Sequence, residues 1–154
     1  MVQSLTVAWG DGELVADCVE DAFERAYVRW RRVSRYDAPV AWVRRVAINR
    51  LRDHHRRAER QTRVVRRLGA DLALAEGERG ADAGYLDDDL YRELLALPQQ
   101  QRTAVALHYL EGLRVAEIAE SMDIAEGTVK SHLSDGRAAL RRCLSGSLEG
   151  MSDG

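Results

Sequence analysis

The stretch VAEIAESMDIAEGTVKSHL, residues 115–133, decides how this chain is read. Ile118, Ala119, Met122, Ile124 and Val129 have the spacing of two short helices joined by a tight turn, with the small Ala119 permitting close approach. In the helix that follows, Val129, Leu133, Gly136, Leu140 and Leu144 fall on one stripe of a 100° wheel. Gly136 therefore faces inward, where its missing side chain admits another helix at a cost of about 1 kcal/mol of helix propensity. Thr128, Ser131, Ser134, Asp135, Ala138 and Arg142 fall on the opposite face, the one such a helix turns to DNA. A plain helical hairpin has the same spacing, and on this segment alone that alternative stays open.

Outward from this stretch, almost nothing alternates like a strand, and only Pro39 and Pro98 interrupt the apolar spacing. The pattern predicts an all-α fold with helices over 13–31, 40–67, 86–97, 99–110, 115–122 and 127–144. Between the second and third lies GADLALAEGERGADAG, where Gly, Ala and acids replace the apolar rhythm. The expected organisation is two small helical domains, 1–67 and 86–144, joined by an acidic flexible linker over 68–85 and followed by a disordered tail over 145–154. The linker either folds back on the arginine-rich helix before it or is a solvated spacer.

The formal net charge of -2 averages very unequal parts. Residues 28–67 hold 14 arginines against three acids, whereas 71–97 hold two arginines against eight acids. A surplus of that size on one helical segment is a polyanion-binding footprint. Cys18 and Cys143 lie far apart with no Cys/His cluster, so free thiols are expected, with no disulfide framework, metal site or cofactor. His54 and His55 sit in an arginine run and His108 and His132 on separate helices, without a nucleophile-base set or phosphate loop, which argues against an enzyme. No apolar run spans a bilayer and the N-terminus lacks a signal pattern, so a cytoplasmic protein without membrane insertion is expected.

Residues 94–144, with their LP-x-x-x-R opening, AEIA helix and GTVKSHL turn, resemble the C-terminal DNA-binding domain of extracytoplasmic-function sigma factors; taken alone, this block is also similar to LuxR-type regulators. The first half discriminates. ADCVEDAFERAYVRW resembles the family's D-x-x-Q-[DE]-x-F polymerase-docking segment through Asp17, Asp21 and Phe23, with Glu20 in place of the usual glutamine. AWVRRVAINRLRDHHRR resembles its promoter-melting helix through Trp42, Val46, Ala47, Asn49, Asp53 and Arg56. Trp42, Val46, Asn49 and Asp53 share one helical face, expected as a buried seam with Arg44, Arg45, Arg52 and Arg56 projecting around it.

The resemblance implies a non-catalytic protein that joins core RNA polymerase through Asp17, Glu20, Asp21, Phe23 and Arg25. It implies contact with the -10 element, as duplex and melted strand, through Arg35, Tyr36, Trp42, Arg45, Asn49, Arg52, Asp53 and Arg56. The -35 element is then read by Thr128, Lys130, Ser131, His132, Ser134, Asp135, Arg137 and Arg142. In the family, the loop at VSRYDAP accepts a flipped base; Tyr36 and Trp42 either offer it aromatic faces or are core, and Asn49 and Asp53 either touch DNA or cap neighbouring helices. An anti-sigma factor is a further possible partner. A stand-alone DNA-binding regulator, or a degenerate paralogue that titrates polymerase or an anti-sigma factor, are the alternatives.

Four departures bear on these expectations. The match begins late relative to the family: either Met1 is a misassigned start or the first domain is truncated, and in the truncated case Phe23, Val28 and Val46 are expected to lack part of their cover. Asp123 occupies a turn position where glycine is common, and Ala125 stands where serine often caps the recognition helix, a loss of about 1 kcal/mol. Asp135 replaces an arginine common in the family; it either weakens or alters -35 recognition or pairs with Arg142 or Lys130.

Overall fold

The computed structural model describes residues 1–69 and 88–150, the side chains of 143, 144 and 146–150 excepted. Among the described residues every regular element is a helix: α1 (Val2–Trp9), α2 (Gly12–Val28), α3 (Trp30–Val33), α4 (Pro39–Arg67), α5 (Asp88–Ala96), α6 (Gln99–Glu111), α7 (Val115–Met122) and α8 (Glu126–Gly150). Nearly all of the expected linker lies outside the described residues. None of the described helices is long and apolar enough to cross a membrane.

Local chemistry sets most boundaries. Asp11 caps α2, its Oδ1 accepting from the Leu14 amide at 2.9 Å, and Pro39 opens α4 where its missing N–H costs nothing. At α7 the Glu117 carboxylate accepts from the Arg114 amide at 2.8 Å; arginine has no acceptor to return, so only half of a capping box forms. Arg102, the arginine of the LP-x-x-x-R opening, donates to the Leu97 carbonyl at 3.2 Å and ties the end of α5 to the start of α6.

Three expectations about the elements are corrected. Helix α1 was not foreseen, because Val2, Thr6 and Val7 are β-branched and no capping side chain precedes it; Gly10, in the left-handed conformation at φ 82°, is the stop signal that marks it. The single helix expected over 13–31 breaks at Arg29 (φ -104°) into α2 and α3. Helix α8 runs on to Gly150 into the expected disordered tail, since extending a formed helix is cheap and no proline stands in its way.

Leu5 and Val7 of α1 share one buried apolar cluster with Val15, Cys18, Val19 and Ala22 of α2, Ala47, Ile48 and Leu51 of α4, and Ala104 and Leu107 of α6, α1 packing on α2 and α6 and α2 on α4. Ile118, Met122, Val129 and Leu133 extend the same apolar cluster through the helix-turn-helix. The two halves thus touch directly: α1 lies between α2 and α6, and α4 packs on both α2 and α7. Gly136 is buried as expected, and a Cβ there would stand 2.7 Å from Cγ2 of Val105.

The seam expected on α4 is rotated. The buried residues are Ala41, Val43, Arg44, Ala47, Ile48 and Leu51, while Asn49 and Asp53 are exposed and Trp42 and Val46 only half-buried. Covered by α2 on one side and α7 on another, the helix buries its more apolar 44/47/48/51 stripe and turns the polar pair to solvent. This same rotation carries Arg44 inward. Phe23 and Val28 are exposed, whereas Val46 packs against the core.

Candidate nucleic-acid interface

The turn from α3 into α4 forms a cleft of about 320 Å³ lined by Arg35, Tyr36, Asp37, Trp42, Arg45 and, from α7, Glu120. Pro39 starts the helix, so Trp42 and Arg45, three apart, reach the same side as the loop residues. The Tyr36 and Trp42 rings are tilted 42° with centroids 6.5 Å apart. Both pack partly on the core and both line the cleft. Two guanidinium groups beside two aromatic faces suit an unstacked base and its phosphates; Glu120 sets a carboxylate in the same lining.

Beyond the cleft, Asn49, Asp53 and Arg56 continue along the exposed side of α4. Arg52 is half-buried, donating to Gln100 Oε1 at 3.5 Å across the two halves. Burial and neighbouring Arg56 lower its pKa from the usual guanidinium value, with Asp123 opposing them. After Arg52 the helix leaves the core, and Arg56, Arg57, Arg60, Arg63, Arg66 and Arg67 form an exposed cationic arm. At about 1.5 Å per residue, the 29 residues of α4 reach about 44 Å.

On α8, Thr128, Lys130, Ser131, Ser134, Asp135 and Arg142 are exposed and His132 is half-buried. Asp135 forms no ion pair with Arg142, Lys130 or any other described residue, so its carboxylate stands open on the exposed side of α8. Arg137 is different. Its Nε donates to the Leu133 carbonyl at 3.1 Å, and its side chain borders an apolar groove with Val105, Tyr109 and Leu140. Asp123 adopts φ 55° in the turn before α8, a conformation aspartate tolerates better than most residues. The Ala125 carbonyl accepts the first α8 bonds, from the amides of Thr128 and Val129, without a side-chain cap.

On α2, Asp17, Glu20, Phe23 and Arg25 are exposed, with Tyr27, Val28 and Trp30 extending the apolar surface beyond Phe23. Asp21 differs: its Oδ2 holds Arg25 and Arg50 at 2.9 Å each, which joins α2 to α4.

Sequence patterns gave no sign of a polar cluster where the halves meet. Buried Arg44 extends Nη2 to Glu111 Oε2 at 2.8 Å and Nη1 to Ser121 Oγ at 3.2 Å. The other Glu111 oxygen takes the Met1 ammonium at 3.1 Å and the Ser4 hydroxyl. Burial pushes the Glu111 pKa up, but the Ser4 hydrogen bond, Arg44 and the ammonium outweigh it and hold the carboxyl below its usual value. An acid as the last residue of α6 opposes the helix dipole, which is the one local hint that Glu111 answers to a partner elsewhere.

Family models match both halves: Sigma-70 region 2 over residues 7–61 and Sigma-70, region 4 over residues 87–140. The chain is 31% identical over 133 residues to the ECF RNA polymerase sigma factor SigK of Mycolicibacterium vanbaalenii, covering 81% of this chain and 68% of that protein. The chain belongs to the extracytoplasmic-function sigma factors. This sigma factor is also 33% identical to SigM of Mycobacterium tuberculosis (83% of this chain, 63% of the relative) and 28% identical to SigW of Bacillus subtilis (83% and 74%). It therefore spans roughly two thirds to three quarters of its relatives' lengths. Its fold matches the sigma factor RpoE from Bartonella quintana, solved in complex with the anti-sigma factor NepR, with a TM-score of 0.72 at 22% identity over 94% of this chain and 89% of the other. The family is one of transcription regulators, and the all-α architecture agrees with it.

Proposed function

We propose that this sigma factor brings core RNA polymerase to promoters in the cytoplasm, through two DNA surfaces of different kinds. The observation that carries the reading is the cleft in which Arg35, Tyr36, Trp42 and Arg45 converge at the foot of the cationic α4. The cleft holds a flipped base of the -10 strand between aromatic faces, and Asn49, Arg52, Asp53 and Arg56 follow the strand along α4. The α8 face from Thr128 to Arg142 enters the major groove at -35. The exposed Asp17, Glu20, Phe23 and Arg25 dock on polymerase, with Asp21 holding the α2 surface in shape. The domain limits 1–67 and 86–144 belong to this reading, and an anti-sigma factor is a further partner, as NepR is for the Bartonella protein.

The test is transcription in vitro with core polymerase and a promoter library. Promoter-dependent transcripts are expected from the wild type, and Trp42→Ala with Arg45→Ala should abolish open complexes while leaving polymerase binding intact. Unpaired Asp135 favours a second reading, a paralogue that occupies polymerase or an anti-sigma factor without initiating. That outcome appears in the same assay as polymerase binding with no transcript from any library member.

A further inference from the structure

We infer that Asp135 reads a base and sets a preference for cytosine at one position of the -35 element, a role that rests on the proposed entry of α8 into the major groove. Thr128, Ser131, Asp135 and Arg142 are all exposed. Spaced three, four and seven, they fall within about 60° of one another around the helix. Asp135 closes the third turn of α8, inside the N-terminal part that a recognition helix lays on base edges. At about 1.5 Å per residue, Arg142 stands about 10 Å farther along, enough to reach a phosphate at the wall of a groove about 12 Å wide.

The surroundings of Asp135 decide what it can accept. A carboxylate on a helix finds a neighbouring cation three or four residues away. Those positions hold Ser131, His132, Ala138 and Ala139, none of them lysine or arginine, and Asp135 forms no ion pair with a described residue. Behind it Gly136 fits so closely on Val105 that a Cβ would stand 2.7 Å from Cγ2, which holds the roll of α8 and with it the direction of Asp135.

Phosphate repels the carboxylate, so its partner in the groove is a donor on a base. Guanine and thymine show no donor there. Adenine shows its amino group beside the N7 acceptor, which opposes the second carboxylate oxygen. Cytosine shows the amino donor alone and takes the carboxylate best.

The test is a binding selection in which the full chain with core polymerase captures promoter duplexes randomised over both elements, carried out with wild type, Asp135→Ala and Asp135→Asn. Wild type should favour cytosine at one -35 position by about tenfold. Asp135→Ala should flatten that position. Asp135→Asn should turn it to adenine, whose N6 and N7 an amide matches as a pair, and neither variant should alter the other positions.

The same bases selected by all three forms, or a loss spread evenly over the window, overturns the role of Asp135 while sparing the α8 reading. A position that follows the variants but holds another base in wild type overturns the choice of cytosine. Captured complexes with no enriched -35 sequence in any form overturn the α8 reading and the base preference together.

Discussion

The two surfaces proposed for nucleic acid in this sigma factor are built on opposite terms. The α8 surface is made by one helix, its core stripe packed on α6 and α7 and its polar face outward, so it is complete in the closed chain. The α4 surface combines a loop, a helix and an intruding residue from the other half, and Arg44, Arg45 and Arg52 on it are partly or wholly buried. Duplex DNA presents a regular groove that a single rigid face can fit, whereas a melted strand needs a recess with polar and aromatic walls. A recess can be blocked by one residue; an outward face cannot.

The sharpest way to break this contrast is Glu111→Ala. Removing one member of a buried pair strands the other, a loss of about 3 kcal/mol or more, seen as a lower denaturation midpoint of the contact between halves. Duplex binding through α8 should hardly change. Gly136→Ala probes the other surface from behind: the new methyl meets the stiff Val105, and overpacking of roughly 1–3 kcal/mol should exceed the gain of about 1 kcal/mol in helix propensity. Lower thermal stability with an unaltered pattern of strand binding is the expected result.

Asp135→Arg sharpens the comparison at the open face. It should tighten duplex promoter binding by about 1 kcal/mol and steepen the salt dependence by close to one counterion, with no change on single strands. Ala125→Ser, which supplies the missing α8 cap, should stabilise by up to about 1 kcal/mol in thermal denaturation. Acid has the mildest effect. The Glu111 carboxyl lies below its usual value near 4.5, so its contribution is full above that pH and drains as pH falls through the lowered value. The wild type should therefore lose stability on that limb faster than Glu111→Gln in pH-dependent melts.

The helix-turn-helix was legible because Ile118, Met122, Val129 and Leu133 obey one period and Gly136 fits it without a special device. Helix α4 was legible in extent but not in rotation, since the wheel alone does not say that α7 covers a second side. The face chosen from the Trp42–Asn49–Asp53 spacing mixed apolar with polar residues, and the structure buries the stripe with Ile48 and Leu51 instead. The cleft residues Arg35, Tyr36, Trp42 and Arg45 were foreseen through family resemblance. Glu120, Glu111 and Ser121 were not, because their partners lie far away in sequence and no local period encodes such a meeting.

Glu111 joins the Met1 ammonium, Ser4, Arg44 and, through Arg44, Ser121 in one polar cluster. Losing Glu111 would unseat the Met1 ammonium, the Ser4 hydroxyl and one arm of Arg44 at once, while the bond from Arg44 to Ser121 and that from Arg52 to Gln100 do not pass through it. The contact between the halves thus has separate polar and apolar parts, and a change at Glu111 weakens the first while the packing of α1 on α6 and of α4 on α7 stays in place.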